Sequence, residues 1–179
     1  MRLIRCLAAL ALTAAVMAMP APALAQASET AVKAAFLPRF ARYVTWPAGA
    51  WPSGREPVVL CVVGADPFGS ALDRAAGSQS IDGKKIVVRR ISSAAAAGGC
   101  NIAFVQGGRG QSTSDLLSAL SDRPILTVTD GSNSAQRGMI HFTIAGGRVR
   151  FYIDQSKAIR HGLNVSSRLL ALAIGVNQR

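Results

Sequence analysis

The run Val58-Val-Leu-Cys-Val-Val63, followed at once by Gly64-Ala-Asp-Pro-Phe-Gly69, constrains the fold more than any other stretch of this chain. Six consecutive apolar residues cannot alternate between a core and solvent. They form a strand covered on both faces, the environment of a central strand in a parallel sheet. Gly64 ends the strand, Asp66 is placed to cap a helix, and Pro67 suits the first position of a helix reaching Ala76. A doubly buried strand leading into a helix is the first half of a βα unit.

The alternation continues along the chain. Residues 86–88, 102–105 and 125–128 read as further strands, with a helix over residues 114–120 before the last of them. Upstream, residues 28–44 place Val32, Ala35, Phe36, Phe40, Tyr43 and Val44 at helical spacing, with Lys33, Arg39 and Arg42 between them. Ser28 is the expected N-cap, Glu29 suits the positive end of the helix dipole, and Pro38 predicts a kink because it removes a backbone donor. Trp46-Pro47 ends the element, and the prolines and glycines up to Pro57 make a loop.

Past residue 128 the period changes. Residues 139–144 and 149–153 flank Ala145-Gly-Gly-Arg148 and read as an antiparallel hairpin. Two closing helices are expected. One covers residues 155–161, with His161 complementing the dipole at its C-terminus and Gly162 stopping it; the other runs from Ser166 or Ser167 through Ile174 to Gly175. The expected class is α/β: a mainly parallel central sheet, helices on both faces, and a C-terminal antiparallel hairpin.

The first 25 residues belong to no such pattern. Arg2 and Arg5 precede an apolar stretch, residues 7–19, broken only by Thr13 and too short to span a bilayer. Pro20 and Pro22 stop a helix there, and Ala23-Leu-Ala25 has the small-x-small form of a cleavage site, so residues 1–25 read as a signal peptide cut before Gln26. Residues 26–179 are then one domain of 154 residues with a net charge of +9, and Cys61 and Cys100 are its cysteines. Two cysteines outside the cytoplasm suggest one disulfide, with two buried free thiols as the alternative, since pairing is not provable from sequence. The basic charge is scattered rather than blocked, and export argues against nucleic acid.

Motifs for chemistry are sparse. His141 and His161 stand apart from each other and from any C-x-x-C, and neither G-x-S-x-G nor S-x-x-K occurs, so no metal, cofactor or catalytic residue is expected. The loop Gln106-Gly-Gly-Arg-Gly-Gln-Ser-Thr113 is glycine-rich and leads into a helix. Gly107, Gly108 and Arg109 make it a candidate anion site, without the G-K-[ST] of a phosphate loop.

An ordered set of segments resembles one family. Lys33-Ala-Ala-Phe-Leu37, Phe40-Ala-Arg-Tyr-Val-Thr-Trp-Pro47 and Leu60-Cys-Val-Val-Gly-Ala-Asp-Pro-Phe-Gly69 look like the opening of YfiR-type periplasmic proteins. Cys100, Pro124-Ile-Leu-Thr-Val-Thr-Asp130, Gly138-Met-Ile140, Arg148-Val-Arg-Phe151 and Ser166-Ser-Arg-Leu-Leu-Ala-Leu-Ala173 continue the match in order over almost the whole mature chain. Pro38 departs from the pattern, which often carries an aromatic there, and the second cysteine pair of some members is missing.

The resemblance implies a non-enzymatic periplasmic repressor of an inner-membrane diguanylate cyclase, controlling cyclic-di-GMP and biofilm formation, with Cys61 and Cys100 disulfide-bonded. The expected partner is the periplasmic region of that cyclase. An outer-membrane or peptidoglycan-associated lipoprotein is a second candidate, and a homodimer a candidate assembly. Arg39, Arg42 and a partly exposed Trp46 are the candidate partner-binding residues, because arginine and aromatic side chains concentrate at interface hot spots. The alternative function is a periplasmic small-ligand or cell-wall-binding protein. Intact-mass measurement of the exported protein should give a chain beginning at Gln26 with no alkylatable thiol before reduction. A mass retaining residues 1–25, or alkylation of both cysteines, contradicts this.

Overall fold

The computed structural model describes residues 21–178. The signal-peptide reading of residues 1–25 therefore falls largely outside the described residues. The chain opens with helix α1 (Ala21–Phe40), which tightens into a 3-10 turn, Ala41–Tyr43, before the short strand β1 (Val44–Thr45). Pro22 does not stop the helix, because a proline in the first turn sits where no backbone donor is needed. Ser28 is consequently inside α1 rather than its N-cap. Pro38 also lies within the helix, and the α form ends two residues later.

The central elements follow: β2 (Val58–Gly64), α2 (Ser70–Gly77), β3 (Ser80–Ile81), β4 (Lys84–Ile91), β5 (Ile102–Gln106), α3 (Thr113–Ser118) and β6 (Leu126–Asp130). The hairpin is β7 (Ile140–Ala145) and β8 (Arg148–Asp154); then come α4 (Gln155–Arg160), β9 (Asn164–Val165), α5 (Ser167–Leu170) and β10 (Gly175–Asn177). Eight strands form one sheet in the order β10-β8-β7-β6-β5-β2-β4-β3. Strands β4, β2, β5, β6 and β7 are parallel neighbours, β7 and β8 antiparallel, and β1 pairs with β9 separately. The α/β class, the mainly parallel sheet and the C-terminal hairpin are thus present.

Alternate residues of β2 serve two cores. Val58, Leu60 and Val62 join Leu37 and Phe40 of α1, Leu72 of α2 and Phe104, Phe142 and Phe151 on one face. Cys61 and Val63 join Ala103, Val105, Leu116 and Leu120 on the other. Phe40 meets Phe151 edge-on at 5.4 Å and Phe142 at 5.7 Å, so α1 is fastened to the hairpin by rings.

Several elements differ from expectation for local reasons. The helix after β2 starts at Ser70, not Pro67, because the Asp66 side chain accepts from Phe68 N and Gly69 N in a turn and Gly69 takes φ +49°. The C-terminal helix ends at Leu170, and Gly175 belongs instead to β10, which is drawn beside β8 in parallel register. Strands β3, β1 and β9 are absent from the sequence reading. Asp82-Gly83, with both residues at positive φ, is the two-residue turn that joins β3 to β4.

Lys33 is the main surprise within α1. It is only 3 % exposed, and its Nζ lies 2.6 Å from Asp130 Oδ2 at the end of β6, with Glu29 and Ser132 completing its partners. Removing one member of such a pair strands a buried charge. Lys33→Met or Asp130→Asn should each lower the unfolding free energy by about 3–5 kcal/mol. Lys33→Met with Asp130→Leu should lose clearly less than the sum of the single losses; urea denaturation of all variants measures this, and strictly additive losses would contradict a coupled pair.

Candidate functional site

The segment leaving α1 carries the residues expected to meet a partner. Arg39 and Arg42 are exposed, because the helix turns its Leu37 and Phe40 into the core and leaves these positions outward. Arg42 Nη2 donates to Ser80 O at 2.9 Å, which holds its side chain against the β3 edge. Trp46 does not accompany them onto the surface: it is 7 % exposed, its ring centroid 4.6 Å from that of Trp51. Its burial follows from β1, which pairs with β9 and folds residues 44–46 back onto the core. Among the described residues the indole Nε1 has no hydrogen-bond partner.

Around these residues lie two shallow depressions. One, of about 600 Å³, is lined by Arg42, Trp46, Trp51, Ser80, Ile81 and Asp82, among others. The next, of about 380 Å³, is lined by Arg39, Arg42, Tyr43 and Gln79. Arg42 borders both. Ser80 and Asp82 had no signal in the sequence for a place beside Arg42, since the β3–β4 hairpin that brings them there is only two residues deep, and Trp51 reaches it from the loop between β1 and β2.

The glycine-rich loop sits at the carboxyl ends of β2 and β5, where the order β4-β2-β5 reverses direction, the usual ligand crevice of an open parallel sheet. Its hydrogen bonds are nevertheless turned inward. Gly107 N donates to Thr113 Oγ1 at 2.9 Å and Gly108 N to Gln111 O at 3.0 Å, while Arg109 is exposed. The start of α3 is closed by a reciprocal Ser112–Asp115 cap, which places a carboxylate there. The arrangement leaves Gly107 and Gly108 with no free amide to offer an anion. The Gly64–Gly69 turn is occupied too, since Arg90 binds Asp66 at 2.7 Å, Asp73 at 2.8 Å and Gly69 O at 2.8 Å.

Cys61 and Cys100 are bonded to each other, Cα atoms 5.8 Å apart, tying β2 to the entrance of β5. In the chain-entropy account a loop of 39 residues closed this way stabilises the fold by about 4 kcal/mol. Arg89, opposite Cys61 in the β2–β4 ladder, donates to Cys100 Sγ at 3.1 Å and to the Ala96 and Gly98 carbonyls. His161 donates from Nδ1 to Lys157 O at 2.7 Å and so caps α4. His141 is buried in β7 against Thr129. Among the described residues no three His, Cys, Asp or Glu side chains gather as a metal site requires, and no helix is long and apolar enough to cross a membrane.

No curated protein matches the chain. A family model does, under the description YfiR/HmsC-like, over residues 30–174, from the second half of α1 to the residue before β10. That span takes in α1's Lys33, the disulfide, the parallel strands and the hairpin in one continuous match, and the chain belongs to the YfiR/HmsC-like family.

Proposed function

We propose that this protein is a periplasmic, non-enzymatic regulator that binds the periplasmic region of an inner-membrane diguanylate cyclase and holds it inactive. Cyclic-di-GMP and surface attachment then rise when it is released. The observation that carries the reading is membership of the YfiR/HmsC-like family, which suggests a periplasmic regulator of such a cyclase. The Cys61–Cys100 bond is consistent with an oxidising compartment.

The docking face in this reading is the turn that leaves α1. Arg39 and Arg42 present guanidinium groups on a rigid helix end beside the two depressions, and Trp46 supports that end from beneath. Arginine in such a setting gives charge-assisted, geometrically selective contacts to carboxylates of a partner. A protein–protein repressor needs this kind of accessible surface rather than an enclosed pocket.

Deleting the gene should raise cyclic-di-GMP and attachment, and the rise should vanish when the partner cyclase is deleted as well. Arg39→Glu with Arg42→Glu should leave the melting temperature within a few degrees of the parent, because both side chains are exposed. Binding to the cyclase periplasmic domain should weaken about tenfold or more. Unchanged cyclic-di-GMP together with retention on peptidoglycan or a co-purifying metabolite would establish the cell-wall or small-ligand alternative instead. Capture of an envelope lipoprotein in place of the cyclase would likewise count against the direct contact.

A further inference from the structure

The second face of the sheet changes character halfway across. Beneath α3 it is apolar, but farther along Thr129, His141 and Tyr152 stand opposite one another on β6, β7 and β8. His141 is 5 % exposed and its Nδ1 lies 2.8 Å from Thr129 Oγ1. That oxygen also accepts the Gly138 N–H at 2.8 Å; in the tautomer where its own hydrogen is given to Nδ1, the imidazole proton sits on Nε2. Burial first, then the nearby Arg137 charge and Lys33, push the imidazole below the usual histidine range against the opposing pull of Asp130. The shift favours the neutral ring, which carries one N–H donor. Among the described residues that donor has no partner.

A cavity of about 480 Å³ opens beside His141, bounded by Arg137, Tyr152, Asp154 and β10. The Arg137 guanidinium lies over the Tyr152 ring, 4.6 Å from its centroid, and has no carboxylate partner among the described residues. Asp154, the one acid in the wall, accepts from Lys157 N at 2.7 Å and Ser156 Oγ at 2.8 Å, which binds it to the start of α4. Gly175 shapes the far wall: a Cβ there would come within 2.9 Å of the Tyr152 ring, so only glycine lets β10 lie against it.

We propose that this cavity binds a small molecule through a single carboxylate, Arg137 taking its charge and His141 Nε2–H donating to one oxygen. One fixed cation, the imidazole donor and a nearby Asp154, to which the Asn177 side chain is also bonded, suit a monoanion and disfavour a dianion such as phosphate. The Tyr152 edge and Val176 offer apolar contact to the body of the ligand. This ligand site is separate from the face bearing Arg39 and Arg42, so it gives the domain a chemical input that partner binding alone does not.

The test uses the mature protein with 15N-labelled histidine, His161 serving as the internal control. Acetate, pyruvate, lactate and benzoate are titrated, with acetamide as the uncharged comparison and inorganic phosphate as the dianion. At least one carboxylate should shift the His141 Nε2 resonance saturably and leave His161 in place. Arg137→Ala should weaken that binding about tenfold or more, with the circular dichroism spectrum unchanged. Should Arg137→Ala fail to fold, Arg137→Gln removes the charge while keeping most of the side chain. No saturable shift with any carboxylate, an equal response to acetamide, undiminished affinity in the Arg137 variant, or saturation by phosphate alone overturns the proposal.

Discussion

Strand β2 must be covered on both faces, and most of the architecture follows from meeting that demand. Its even-numbered residues need α1 and α2 on one side, its odd-numbered residues need α3 on the other, and its two edges are occupied by β4 and β5. Parallel neighbours can be reached only through crossovers, so α2 and α3 cover the faces and also make connections, while α1 covers its face from outside the crossovers. The disulfide reinforces the same centre, since it joins the strand to the start of its neighbour. Close approach at the top of the sheet then dictates Gly64, where a Cβ would lie 2.1 Å from the Gln106 carbonyl oxygen.

Helix α1 closes one layer by two different kinds of contact. Phe36 and Phe40 pack on Phe142 and Phe151, a non-directional apolar gain of about 1.5–3 kcal/mol for each fully buried ring. Lys33 and Asp130 add a directional one, satisfying a buried cation with two carboxylates and a hydroxyl. The rings hold the helix to the hairpin, while the ion pair sets its register against the end of β6. This orientation leaves Arg39 and Arg42 outward at the far end of the helix, on a surface whose position is determined by the core beneath.

The two faces of the sheet are unequal in another respect. α3 covers only part of the second face, and its residues over β6, β7 and β8 are threonine, histidine and tyrosine in place of valine and leucine. Buried polar groups of this kind are tolerated when bonded to one another, as Thr127 and Thr129 are to the Met139 and Gly138 amides. His141 satisfies one nitrogen in that network and lines the cavity beside Arg137 and Tyr152.

Elements with strong local signals were legible in the sequence: the doubly buried β2, the Gly146-Gly147 hairpin, the helix over α4 with His161 at its C-terminal end, and the family resemblance. Each depends on neighbours a few residues apart, where periodicity, capping and turn geometry act. What sequence could not supply were pairings between distant segments. Lys33 reads as a solvated lysine until Asp130, 97 residues on, is brought to it; Trp46 reads as partly exposed until β9 pairs with β1; and Gly175 reads as a helix stop until β8 captures it as a strand. In the same way His141 stands alone in the sequence and acquires Arg137 and Tyr152 only across the folded sheet. The physical reason is that local propensities are set by backbone sterics and nearest hydrogen bonds, whereas burial of a charge, an indole or an imidazole is set by whichever surface the completed fold places against it.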